Sequence, residues 1–387
     1  MTSIPFIFIS LLALGVLIFV HELGHFLLAK WNGVGVSEFA IGFGKILYRV
    51  QVGETKYSLR AIPLGGFVQM YGDDPRLVEK IRSNTVETST PEEELELQSL
   101  LEKQDRWFLS KGYLAKASIV LAGPLFNIFF AVFLSIATYA LLGKPVPVTS
   151  PTIGGVMPGD PAAIAGIEPG DTILSINGLE VNTWEKMAEV IAHSKGEPLA
   201  LLIERDTADG VSSKVPLTLQ ATNERNENYE QFDDDSIQNT YRIGVIPQAA
   251  RVPIGIGEAV LLGVNHVWYL SRMTISMLGK MVFGKVSAKN ISGPLSIISH
   301  GAKEAKSGFD RLVSFSIFLS VSLAILNLLP VPILDGGHLL FFTLEKLRGA
   351  PLSLRVQEAA NQVGLVFLLL LMAFALGNDI FRHILPL

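Results

Sequence analysis

The sequence predicts a polytopic α-helical membrane protein: four transmembrane helices, a membrane-associated β-hairpin or sheet element, and one β-rich domain outside the bilayer. Three observations carry that expectation. Residues 4–28, 117–143, 312–334 and 359–378 are long apolar stretches, each near the ~20 residues needed to cross a hydrocarbon core. The 387-residue chain is 49% apolar with a mean hydropathy of +0.41, too hydrophobic for an ordinary soluble enzyme and too polar for membrane helices alone. The gap between the second and third stretches is rich in turn signals.

Residues 1–30 form the first helix. The eighteen residues MTSIPFIFISLLALGVLI carry no charge and run directly into FVHELGHFLLAKW. There is no basic leader segment and no small-residue cleavage site, so the segment reads as a retained helix. Residues 31–115 form a β-element and an acidic loop. Within it Ile46–Val52 and Lys56–Ile62 read as strands around the turn Gly53-Glu54-Thr55. The acidic run 73–106 reads as a solvated face, helical after Pro91. Residues 116–143 form the second helix.

Residues 144–250 read as a small β-rich domain. Turns are expected at Pro158-Gly159, Pro169-Gly170 and Asn177-Gly178, a short helix near Trp184, then the strand LALLIER, a polar excursion NERNENYEQFDDD and a returning strand YRIGVIP. Residues 251–310 read as an amphipathic helix on the outer membrane surface and a connector. The bulk of 252–284 is apolar but holds Glu258, His266 and Arg272, with Trp268 and Tyr269 suited to the interface; the alternative, a fifth span, runs against the charge pattern. Residues 311–342 form the third helix, with Pro330 and Pro332 breaking it, and residues 343–387 form a short loop and the fourth helix.

Orientation follows from the basic residues near the span ends. Lys30, Lys111 and Lys116 flank the first connection, and Lys346, Arg348 and Arg355 occupy the third. Those connections are therefore expected in the cytoplasm, with residues 144–311 outside. HELGH and Asp335 then share a depth toward the cytoplasmic side. A net charge of −5 gives no sign of nucleic-acid binding. The absence of cysteine excludes disulfides, thiolate metal ligands and a cysteine nucleophile.

Ionisable side chains inside a membrane are costly and point to function. His21 and His25 are four residues apart, so on a helix they share a face, ~6 Å apart along the axis. Two imidazoles so placed can hold one zinc ion, and Glu22 can act as general base and then protonate a leaving amine. A catalytic zinc needs a third protein ligand. Asp335, after the proline break of NLLPVPILDGGH, is the candidate, with His338 three residues on as the other group able to face the site.

HELGH in the first span, NLLPVPILDGG in the third and GIEPGDTILSING between spans two and three together resemble the site-2 protease family. The last stretch is similar to PDZ domains of bacterial membrane and periplasmic proteases. The resemblance covers nearly the whole chain. It implies an intramembrane zinc metalloendopeptidase of the bacterial inner membrane, with Zn2+ held by His21, His25 and Asp335 and Glu22 as the catalytic carboxylate. It further implies that Asn327 handles substrate, and that residues 36–71 form a membrane-associated β-element whose exposed edge pairs with an unwound substrate strand. Gly65-Gly66-Phe67-Val68 is the candidate for that edge, with simple hairpin packing as the other reading. The implied partners are the lipid bilayer and single-pass membrane proteins, such as anti-sigma factors after a first cleavage or remnant signal peptides. A single periplasmic PDZ-like domain would contact the substrate's periplasmic region or peptide C-termini, whereas some members carry two in tandem. Asn127, in GPLFN, is left between helix packing and substrate unwinding.

Two other classes compete. A metal transporter calls for polar ligands along several spans, but spans two and four offer mainly Asn127, Asn361 and Gln362. A proteolytically inert binding protein has no need of Glu22.

Overall fold

In a computed structural model the described residues are 4–82, 101, 103–157, 159–206, 212–222, 241–284 and 293–384. The helix expected after Pro91, the excursion NERNENYEQFDDD and Pro158 of one expected turn lie outside them. The chain forms two compact units, Met1–Thr138 with Val260–Leu387, and Tyr139–Ala259.

The first unit is built on helices. α1 (Ile4–Trp31), α3 (Tyr113–Leu142), α8 (Phe309–Asn327) and Leu354–Ile380 of α10 (Leu354–Ile384) are long and apolar enough to cross a membrane. Many of their large side chains remain outward-facing, among them Phe8, Phe129, Phe133, Val363 and Leu370. Such surfaces suit hydrocarbon and would be a liability in water. The inward faces meet in small buried clusters. Ala29, Val34, Val36, Phe108, Ile119, Val120 and Phe342 pack together, a fully buried Val, Ile or Phe each contributing about 1.5–3 kcal/mol.

Between α1 and α3 lie β1 (Val36–Val52) and β2 (Thr55–Met70), followed by α2 (Pro75–Arg82) and two 3-10 turns, Gln104–Arg106 and Phe108–Ser110. Both strands run well beyond the hairpin read from sequence. Ala40 pairs with Ser58 on one side and Phe67 on the other, while Val50 pairs with Tyr57. The two strands therefore fold over each other into four segments, in the order 46–52, 55–62, 36–41, 66–70, the outer two pairings antiparallel and the central one, between 55–62 and 36–41, parallel in register. Positive φ at Gly42, Gly44 and Gly65 makes the bends. Glu54, in the tight turn, accepts from Lys30 Nζ at 2.6 Å and from both Arg106 terminal nitrogens at 2.6 Å. That ties the hairpin to the end of α1 and to the first 3-10 turn.

Residues 251–310 hold two helices rather than one and a connector. α6 (Ile256–Val282) is followed by α7 (Pro294–Ser307). Val267 and Leu270 of α6 pack with Ala131 of α3 and with Ile317 and Val321 of α8, and Ser135 hydrogen-bonds His266 at 3.0 Å. α7 begins where Asp379 of α10 caps it, accepting from the Gly293 and Ser296 amides at 3.0 Å each and from Ser296 Oγ at 2.5 Å. α8 ends at Asn327, and α9 (Asp335–Arg348) starts after a seven-residue break.

The second unit holds a four-stranded antiparallel sheet in the order β6-β5-β7-β8, from β5 (Thr172–Ile176), β6 (Leu179–Glu180), β7 (Pro198–Asp206) and β8 (Ser212–Gln220). β3 (Lys144–Pro147) pairs with β10 (Ala249–Val252), and β4 (Ile153–Val156) with β9 (Val245–Pro247). Ile173, Ile176, Leu201 and Ile203 form its core with Met187 and Ile191 of α5 (Trp184–Ala192), after the short α4 (Pro161–Ile164). Asp171, 1% exposed, takes two hydrogen bonds from Arg205 at 2.7 and 2.6 Å, so its buried charge is fully paired.

Candidate metal centre

His21, Glu22 and His25 sit on α1 where it crosses α3. The crossing is close because Gly24 and Gly123 carry no side chain. A Cβ on Gly24 would stand 2.5 Å from the Ala122 carbonyl oxygen, and one on Gly123 would collide with His25 Nε2 and His21 Cε1. Small residues at such a point let two helix backbones approach. Here they also leave the space the imidazoles occupy.

The break 328–334 delivers the third group. Gly336 and Gly337 pack so tightly on the Leu328, Leu329 and Val331 carbonyls that a Cβ on either would collide with backbone. Ile333 is held at φ 82, a strained conformation for a β-branched side chain, two residues before Asp335. Asp335 is the first residue of α9, where the positive end of the helix favours a carboxylate.

Its carboxylate reaches both histidines. His21 Nε2 is 3.2 Å from Asp335 Oδ2, His25 Nε2 is 3.5 Å from Oδ1, and the two Nε2 atoms are 3.2 Å apart. All three donor atoms lie within 4.8 Å of one another. His25 Nδ1 donates to the Ile119 carbonyl at 2.8 Å, which leaves Nε2 with a free lone pair. Asp335 Oδ2 is buried without a hydrogen-bond partner. Two imidazoles and one carboxylate with an orphaned oxygen between them are a donor set that fits zinc and leaves a coordination position open.

The centre opens on a cavity of about 1120 Å³ lined by His21, Glu22, His25, Asn327 and Asp335. Gly66, Phe67 and Val68 of β2 line it too, and Gly65 stands at the bend just before them. A Cβ on Gly66 would come 2.9 Å from Glu22 Cγ, so the strand passes directly beside that carboxylate. On its other side, segment 66–70 pairs with no strand among the described residues.

The peptidase family M50 model matches residues 9–371 of this chain. The chain belongs to peptidase family M50. It is thus a zinc metalloprotease of the site-2 protease family. A Clostridium acetobutylicum relative, provisionally named a zinc metalloprotease, is 34% identical over 374 residues, 97% of both chains. Zinc metalloprotease RasP of Geobacillus kaustophilus is 30% identical over 422 residues, covering 95% of each chain. Protease RseP of Yersinia pestis is 30% identical over 476 residues, covering 96% of this chain and 97% of its own.

Several contributors to this candidate centre carried no clear sequence signal. The Ile119 carbonyl is main chain, which residue types do not reveal. Gly123 was legible only as the residue one helical turn before Asn127. Gln357 and Asn361 of α10 and Asp73 before α2 also line the cavity. Burial raises the Asp73 carboxyl to about 6 although it accepts from the Met70 amide at 2.9 Å. His338 lines the cavity but is not among the three converging donors. Its ring stacks on Phe342 and meets the edge of Phe341.

In the second unit a smaller cavity, about 360 Å³, runs between α5 and the approach to β9. Trp184, Met187 and Ile191 form one wall, and Tyr241, Ile243 and Val245 the other.

Proposed function

We propose that this protease hydrolyses peptide bonds within or beside the transmembrane helix of single-pass membrane proteins, with His21, His25 and Asp335 as its zinc ligands and Glu22 as its catalytic carboxylate. The observation that carries the reading is the convergence of those three donors within 4.8 Å on the wall of a cavity that also holds Glu22. Zinc, when bound, supplies the Lewis acidity that polarises a carbonyl and acidifies water.

The chain's own residues do the rest. Glu22 takes a proton from the attacking water and returns it to the leaving amine nitrogen. A helical substrate hides its scissile amide, so it must be extended before attack. The open edge of Gly66–Val68 offers main-chain donors and acceptors to a substrate strand beside Glu22. Asn327, at the end of α8, supplies amide hydrogen bonds to the substrate backbone.

The chain is read as a multi-pass protein of the bacterial inner membrane, with the metal centre toward the cytoplasmic side and the second unit in the periplasm. That unit, PDZ-like in its GIEPGDTILSING stretch, is suited to taking an extended peptide or peptide C-terminus between α5 and β9. Anti-sigma factors already shortened by another protease, and remnant signal peptides, are the substrate classes this arrangement suits.

The test is Glu22→Gln in native membranes. The variant is expected to keep zinc, lose cleavage of a single-pass reporter and retain that reporter on cross-linking. Cleavage at the wild-type rate would remove Glu22 from the chemistry.

A further inference from the structure

His25 owes its orientation to a main-chain carbonyl on α3, but His21 has no such carbonyl partner. Its Nδ1 instead lies 3.4 Å from the side-chain amide nitrogen of Asn127. Asn127 is completely buried, and its Oδ1 has no hydrogen-bond partner. Ile119, Gly123 and Asn127 are spaced four residues apart and so share one face of α3. That face meets the histidines at three points: a carbonyl on His25, a gap for both rings, and an amide on His21.

A histidine that gives Nε2 to a metal must carry its proton on Nδ1, where it needs an acceptor. An asparagine amide can meet either need, because a 180° turn of its terminal bond exchanges donor and acceptor in nearly the same space. We propose that Asn127 is the positioning residue of His21, its Oδ1 accepting from the Nδ1 hydrogen so that the imidazole presents a fixed Nε2 lone pair to zinc. The orphaned oxygen and the tautomer required of His21 then answer each other. Asn127 touches neither substrate nor metal. It acts through the ring.

This rests on the ligand assignment above, so the experiment reads zinc itself. Wild type, Asn127→Asp and Asn127→Leu are purified in detergent, and zinc retention is measured against a graded chelator, with visible absorption of the cobalt-loaded protein as a second readout. Leucine keeps the volume and loses the acceptor, and should weaken zinc by about 10–100-fold. Aspartate can only accept, and should hold zinc at least as well as wild type with an unchanged cobalt spectrum. Wild-type affinity in the leucine variant would overturn the proposal, and so would an aspartate variant that is folded yet as weak as leucine. Should leucine fail to fold, aspartate against wild type still decides, since a packing role alone predicts loss on burying a charge. Wild type that binds no zinc would instead overturn the ligand assignment.

Discussion

Gly24 of α1 lies directly against Ala122 of α3, with room for no Cβ between Gly24 and the Ala122 oxygen. Gly24→Ala should therefore force the helices apart at the level of the histidines, costing about 1–3 kcal/mol as overpacking. Thermal unfolding in detergent checks it, and a wild-type melting temperature would show that the crossing gives way freely. Gly123→Ala should act more selectively, because its methyl group would enter the space of the two imidazoles. Zinc content is expected to collapse while far-UV helicity stays unchanged.

Removing the third donor should have a different signature. Asp335→Ala leaves the two histidines in place but deletes the carboxylate they face at 3.2 and 3.5 Å. Zinc stoichiometry by atomic absorption is expected to fall from one per chain toward zero after dialysis against chelator. Full stoichiometry would mean that another group completes the site.

The open edge of β2 can be probed residue by residue. In an antiparallel pair successive amides point to opposite sides, and Phe67 and Val68 lie opposite Ala40 and Phe39. Of Phe67→Pro and Val68→Pro, one should break the inner ladder and lower stability. The other should remove an outward amide, reducing cleavage while stability and zinc stay at wild-type levels. Full cleavage by both variants would end the case for strand pairing.

Glu54 makes the hairpin pH-sensitive. Hydrogen bonds from Arg106, with Lys30 adding its own, lower its pKa from 4.5 to about 2. The folded value is the lower one, so the stabilisation is complete above pH 4.5 and disappears as pH falls toward 2. The carboxylate is 21% exposed and its partners about a third, so solvent screening leaves about 1–2 kcal/mol of the full shift. Glu54→Gln should thus be less stable than wild type at pH 7, with the gap closing between pH 4.5 and 2 in acid unfolding. A gap independent of pH would point to shape rather than charge.

What the sequence made legible was mostly what is expensive. Four apolar stretches stood out because hydrocarbon demands them, and HELGH and Asp335 because charge beside such stretches needs a reason. The β-element was legible only in part. Gly42, Gly44 and Gly65 lie outside the two strands read from sequence, 46–52 and 56–62, yet they bend strands that continue through them. α7 was missed because its apolar stripe is short and half alanine (Leu295, Ile298, Ala302, Ala305), and Asp379, which caps it, lies 86 residues beyond Gly293. Local pattern cannot show a partner that distant. Asp379 was legible only as the charged residue that follows the fourth apolar stretch.

That cap also bears on how the chain assembles during synthesis. α7 packs against α1, where Gly301 abuts Ser10, and α7 in turn is capped from α10. The helix bearing HELGH leaves the ribosome well before α10, yet one of its neighbours is finished only when Asp379 has been made. Proteolytic competence would therefore wait until α10 has been made, which protects the membrane from a half-built protease.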